Sequence, residues 1–220
     1  MQLRTGALTP PGFGATLACM QTLGLSGESR RSDGWLKSVF WPTVENAWDV
    51  DYLGQQGFWI CVVVAVFQFV AGALTGNPII FATNALMTLV FLIGAMGVRE
   101  ACWPAAAMVF AIYFVNILAA LAMGGLPSPL AILFAAILLS NLRAAILASQ
   151  WRPAGEDEDR PTRFNESLRD KLVDQLPRKA WPTLQWPFYV LSVILLLLSV
   201  LGVSALVLHR VTAIAGSLHS

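Results

Sequence analysis

Charged side chains are scarce in this chain, and its long apolar stretches are almost free of them. Only 12% of the residues are Asp, Glu, Lys or Arg, whereas 56% are hydrophobic. No Asp, Glu or Lys lies in the stretches 57–74, 78–98, 103–123 and 129–148. A carrier that moves protons, such as a small multidrug exporter, needs a carboxylate within the membrane. The sequence therefore argues against that class of protein.

Histidine and cysteine are also rare. The two histidines, His209 and His219, lie at or beyond the end of the last apolar stretch, so no imidazole is placed to ligate haem, a pigment or a metal, or to act as a base there. Cys19, Cys61 and Cys102 show neither CxxC nor Cys/His spacing. Neither a disulfide framework nor a zinc site is indicated, and no metal is predicted.

Catalytic motifs are missing as well. The chain has no HExxH, GxSxG or P-loop sequence and no Ser/Lys pair at a plausible depth, which argues against intramembrane proteolysis and phosphoryl transfer. A formal net charge of +1 gives no reason to expect nucleic acid as a partner. An enzyme that uses a loop residue such as Glu166 is the least favoured class.

What remains is membrane-spanning sequence. Each of the four stretches, and a fifth at 186–208, approaches the ~20 residues that a helix needs to cross a bilayer. The sequence predicts an all-α, polytopic integral membrane protein: a four-helix bundle of two hairpins, a fifth transmembrane helix and a cytoplasmic amphipathic helix. The chain divides into five parts: an N-terminal segment (1–54), the bundle (55–151), a charged segment (152–185), the fifth span (186–208) and a tail (209–220).

Two segments outside the spans have amphipathic patterns. Residues 34–52 carry an aromatic stripe interrupted by Pro42, which predicts two short helices lying either on the membrane or on a partner. A further helix is predicted to begin at Asn165 and to end at Pro177. Its apolar face would hold Leu168, Leu172, Val173 and Leu176.

The basic residues predict the orientation of the chain. Of the fourteen Lys and Arg residues, twelve lie in the N-terminal segment, the link at Arg99 and the segment 152–185. The other side holds only Arg210, so the N-terminus is predicted to be cytoplasmic and the C-terminus outside, in a bacterial inner membrane. Four tryptophans near the cytoplasmic side precede a proline and are predicted to contact lipid or a partner: Trp41, Trp103, Trp181 and Trp186.

Small residues predict close helix packing. Ala136, Ser140, Ala144 and Ala148 repeat every four residues in the fourth span. Small side chains let membrane helices approach closely, and Cys61, Ala65, Gly72, Gly94 and Gly97 are expected to do the same in the first two spans.

Each span of the bundle carries one carboxamide. Counted from the outer ends, Gln68 and Asn84 lie about 9 Å deep and Asn116 about 11 Å deep, with Tyr113 a turn below. The favoured interpretation is a layer of hydrogen bonds between helices. The other is a shallow binding site, open to the outer leaflet, for a lipid, a quinone or another ligand with a polar head group.

Two polar residues lie nearer the cytoplasmic end of the fourth span. Asn141 and Arg143 are predicted to contact lipid or a partner. Arg143 is the only formal charge within the predicted spans, and its long side chain reaches the interface by snorkelling.

The favoured function is non-catalytic: an accessory, assembly or scaffolding subunit of a membrane complex, respiratory or photosynthetic, with membrane lipids and other subunits as partners. The N-terminal segment, the segment 152–185 and the fifth span would bind those partners. The alternative is a small transporter or ligand-binding membrane protein that uses the polar layer. No cofactor is identified, although bound lipid or pigment would fit the complex.

Overall fold

The computed structural model describes residues 42–44, 47–151 and 171–217. Five helices in these parts are long and apolar enough to span a membrane, and this confirms the predicted polytopic helical membrane protein. They are α1 (Ala47–Leu74), α2 (Pro78–Arg99), α3 (Trp103–Ala122), α4 (Pro129–Trp151) and α5 (Leu176–Ser217). A π-helical turn, Lys171–Gln175, leads directly into α5.

Local sequence sets the two sharp turns of the first three helices. Asn77 caps α2, because its Oδ1 accepts hydrogen bonds from the amides of Ile79 (2.9 Å) and Ile80 (3.3 Å), with Pro78 in the first turn. At the other end, Ala101 adopts a positive φ of 51°. The amides of Ala101 and Cys102 then bond the carbonyls of Val98 and Gly97. This Schellman arrangement lets α3 begin immediately after α2.

Four helices form a closed ring. Helix α1 packs against α2 and α4, and α3 packs against the same two helices. Helix α5 lies outside this ring, in the groove between α2 and α3. We call the end where α2 meets α3 the Arg99 end, and the end with the two hairpin turns at 75–77 and 123–128 the hairpin end.

Glycines in α2 create the space into which α5 packs. A methyl group at Gly97 would lie 2.5 Å from the Trp181 ring and 2.6 Å from Cβ of Ala105. At Gly94 it would lie 2.5 Å from Val109 and 3.0 Å from the Phe188 ring. Large rings of α5 thus fill hollows left by absent side chains, which explains why these positions in the sequence carry glycine.

Two helices begin earlier than the sequence predicts. Helix α1 starts at Ala47 rather than at 57, and α5 starts at Leu176 rather than at 186. The prediction that Pro177 ends the preceding helix is wrong. Pro177 lies where the π-helical turn passes into α5, and its side chain is fully buried. Pro182 and Pro187 lie within the same helix, as membrane helices tolerate.

Candidate functional site

A buried arginine with two carboxylates forms the strongest polar cluster at the Arg99 end. Arg99 donates from Nη1 to Asp51 Oδ1 at 2.9 Å and to the Asp51 carbonyl at 3.1 Å. Its Nη2 and Nε donate to Asp174 Oδ1 at 2.6 and 3.1 Å. The Arg99 side chain is only 2% exposed, whereas those of Asp51 and Asp174 are 24% and 18% exposed. Charge-assisted bonds of this kind are stronger than neutral ones.

The cluster joins three separate elements of the chain. Asp51 lies in the first turns of α1, Arg99 is the last residue of α2, and Asp174 lies in the π-helical turn before α5. Gly54 lies beside the end of α2, where a methyl group would make ordinary van der Waals contact with the Arg99 guanidinium at 3.5 Å. The planar fork of arginine bonds both carboxylates at once. Arg99 therefore fixes α1 and the start of α5 to α2.

Asn141 makes a second polar contact at this end. Its Nδ2 donates to the Leu53 carbonyl of α1 at 2.8 Å, and the residue is 3% exposed. Gly57 makes room for it, because a methyl group there would lie 2.8 Å from the amide. Sequence analysis predicts lipid or partner contact for Asn141. The structure instead buries it between α1 and α4, where no lipid reaches it.

Arg143 bonds the chain that precedes α1. Its Nη1 donates to the Pro42 carbonyl at 3.0 Å, while the neighbouring Val44 packs against Leu53 and Ala144. The prediction that Arg143 is the only charge within the spans needs correction, because Arg99 belongs to α2 and is the more deeply buried of the two. Both arginines hold segments of this chain together.

The predicted tryptophan belt divides into buried and exposed members. Trp181 is buried and packs edge-to-face against Phe188 and Tyr189, so its contacts are within the chain rather than with lipid or a partner. Trp103 and Trp186 are 48% and 74% exposed. Trp41 lies outside the described residues.

The four residues of the predicted polar layer lie toward the hairpin end. Asn84 donates to the Ile80 carbonyl of its own helix at 3.0 Å, and Tyr113 donates to the Ala131 carbonyl of α4 at 3.3 Å. The buried Nδ2 of Asn116 has no acceptor among the described residues. Gln68 is partly buried. No hydrogen bond joins these four side chains within the described parts of the chain.

Packing register brings three of them to a similar height. Asn84 of α2 lies against Gly72 of α1, and the Thr88 hydroxyl of α2 donates to the Ala65 carbonyl of α1 at 3.1 Å. Gln68 lies between Ala65 and Gly72 in α1, so its height is between those of Thr88 and Asn84. On the other side of α2, Phe91 packs against Tyr113, which places Asn116 one turn closer to the hairpin end. The ligand-binding role of this layer stays a prediction.

Burial decreases sharply at the same height. In α2, α3 and α4, every residue on the hairpin side of Met87, Ile112 and Ile137 is at least partly accessible. The fully buried core lies between that level and the Arg99 end. In these three helices the side chains around the carboxamides are therefore more accessible than those nearer Arg99.

The Arg99 cluster is the feature that sequence reasoning missed. One signal was present: Asp51 and Arg99 lie at nearly equal distances along the chain from the turn at 75–77. An antiparallel hairpin brings such positions opposite each other. Asp174 gave no comparable signal, because its approach to Arg99 depends on how α5 packs.

Comparison of the chain with protein-family models, curated proteins and solved structures found no match.

Proposed function

We propose that the protein is a non-catalytic scaffolding or assembly subunit of a membrane protein complex. One observation carries the proposal: the strongest polar side chains near the Arg99 end bond other parts of the same chain. Arg99, Asn141 and Arg143 each tie two or more segments together. Side chains that bond other parts of the chain stabilise its structure rather than take part in catalysis. A stable structure is what the partners in an assembly bind.

Helix α5 is the element that we propose meets the partner. Only 11% of the most apolar stretch of α5 is buried within the chain, whereas 22% to 39% of the corresponding stretches of the other four helices is buried. Its outer face is a continuous apolar strip, and it lies outside the ring of four helices, so a neighbouring helix would reach it without disturbing the bundle. The exposed large aliphatic side chains between residues 188 and 208 are Val190, Val193, Ile194, Leu197, Leu198, Val200, Leu201, Val207 and Leu208.

The proposed location is a bacterial inner membrane, with the N-terminus in the cytoplasm. Twelve of the fourteen Lys and Arg residues lie in segments on the Arg99 side of the spans. Exposed Trp103 and Trp186 lie at that same end. Both features support the positive-inside orientation.

Native mass spectrometry of the full chain, extracted from its own membranes in mild detergent, tests the scaffolding proposal. We expect a stoichiometric protein partner. Replacing Leu198 and Leu201 of α5 by alanine should reduce its recovery at least tenfold. The control replaces Val66 and Val70, a pair on α1 that is also exposed, and should leave recovery unchanged.

A monomer or homodimer that carries a bound small molecule and no protein partner would overturn this function. Equal loss of the partner in both double variants would place the contact elsewhere than on α5.

The second candidate is a binding site for a small ligand at the hairpin end. The greater accessibility around Gln68, Asn84 and Asn116 favours it, together with the Asn116 amide, which has no acceptor among the described residues. A buried donor without an acceptor is costly, and a ligand oxygen would satisfy it.

Replacing Asn84 by leucine separates the two roles of the polar layer. If Asn84 serves only packing, we expect the free energy of unfolding to change by less than about 1 kcal/mol, because its amide donates to the Ile80 carbonyl of its own helix. If they form a ligand site, the variant should fold normally but lose the small molecule that co-purifies with the unmodified chain. Mass spectrometry of extracted ligands, beside thermal unfolding, distinguishes these outcomes.

A further inference from the structure

We propose that residues 171–186, at the Arg99 end, form a binding surface for the head groups of anionic phospholipids. We call these residues the basic segment. They comprise the π-helical turn and the beginning of α5. The proposal is independent of the scaffolding function, since it concerns the membrane surface rather than a partner protein.

The basic segment has two distinct faces. One face is buried against the bundle and holds Val173, Pro177 and Trp181. The opposite face is open. It carries the exposed cations Lys171, Arg178 and Lys179, interspersed with the exposed Leu172 and Leu176.

This arrangement corrects the predicted apolar face of the segment. Among the described residues of that predicted apolar face, only Val173 is buried, whereas Leu172 and Leu176 are 56% and 44% exposed. Exposed leucines beside cations are typical of a helix that lies in the head-group layer, with leucine reaching the acyl chains and lysine the phosphates. That combination favours a lipid surface over an acidic protein.

The three cations are not used within the structure. Lys171, Arg178 and Lys179 form no hydrogen bond or ion pair in the described parts of the chain. By contrast, Arg99, Arg143 and Arg210 all donate to groups of the protein. Three free cations on one face are complementary to an anionic head group, and each should strengthen binding roughly fivefold.

The bundle fixes one side of the basic segment at the Arg99 end. Asp174 accepts hydrogen bonds from Arg99, and Phe188, just beyond the segment, packs near Gly94 of α2. The side that carries the three cations stays exposed. The exposed rings of Trp103 and Trp186 lie at this same end, where tryptophan prefers the interface.

The test measures lipid binding to the full chain in a neutral detergent by native mass spectrometry. Phosphatidylglycerol and phosphatidylcholine are added separately at matched concentrations. We expect at least a tenfold preference for phosphatidylglycerol, which weakens as salt is added. The triple variant K171Q/R178Q/K179Q should lose the preference. The charge-conserving variant K171R/R178K/K179R should keep it.

Equal binding of the two lipids by the unmodified chain would overturn the proposal, as would an undiminished preference in the glutamine variant. Because all three side chains are exposed, both variants should retain the thermal unfolding temperature of the unmodified chain. If the glutamine variant nevertheless unfolds, single substitutions at Lys171 and Lys179 repeat the measurement. If neither single substitution reduces the preference for phosphatidylglycerol, the proposal is again contradicted.

Discussion

Replacing Arg99 by glutamine should lower the free energy of unfolding by about 3–5 kcal/mol, the largest loss expected from any single polar substitution here. The variant removes the buried cation that the carboxylates of Asp51 and Asp174 both face. Chemical unfolding in detergent micelles, followed by circular dichroism, measures the loss.

Two controls separate the ion pairs from a general effect of removing an arginine. Arg178→Gln removes an exposed arginine that has no bonding partner among the described residues, and should change the free energy of unfolding by less than about 0.5 kcal/mol. The double variant R99Q/D174N should be more stable than R99Q, because it removes one of the two carboxylates that face the lost cation. If R99Q and R178Q lose the same stability, the Arg99 cluster does not have the role assigned to it.

Replacing Gly97 by alanine should destabilise the protein by about 1–3 kcal/mol through overpacking. The added methyl group would meet the Trp181 ring at 2.5 Å and Cβ of Ala105 at 2.6 Å. The Cβ of Ala105 is fixed by the backbone of α3 and cannot move away from the added methyl group. Either Trp181 must leave its site or α2 and α3 must separate, so the loss should appear as a lower thermal unfolding temperature.

Gly202→Ala is the matched control for Gly97→Ala. It is the same substitution in α5, but a methyl group at Gly202 meets nothing within 4 Å. Alanine is the better helix former, so this variant should be more stable by about 0.5–1 kcal/mol. Similar effects of both substitutions would mean that α5 does not fill the hollow at Gly97.

Much of the fold could be predicted because membrane insertion leaves few alternatives. The turn at 75–77 and the link before Trp103 are so short that consecutive helices must be antiparallel neighbours. Gly94 and Gly97 were correctly interpreted as close-packing positions. The continuation of α5 through Pro177 was not predictable from local signals, because it depends on burial of that proline against the bundle.

The candidate sites were harder to predict, because polar contacts depend on which faces of distant helices meet. Asn141 appeared available for lipid, yet it reaches the Leu53 carbonyl only because Gly57 faces it. The sequence uses Arg99 only to predict orientation, since its two carboxylate partners come from α1 and from the turn before α5. Composition fixes how many polar groups a membrane protein has, whereas tertiary packing decides what each one bonds.

Hydrogen–deuterium exchange of the unmodified chain and of the Arg99→Gln variant tests most directly whether this arginine holds the segments of the protein in place. The described residues of the basic segment and the first turns of α1 should exchange at least tenfold faster in the variant, because they lose their ionic anchor. Residues 78–86, at the hairpin end, should exchange at the unmodified rate. Unchanged exchange at 171–181 would contradict the account.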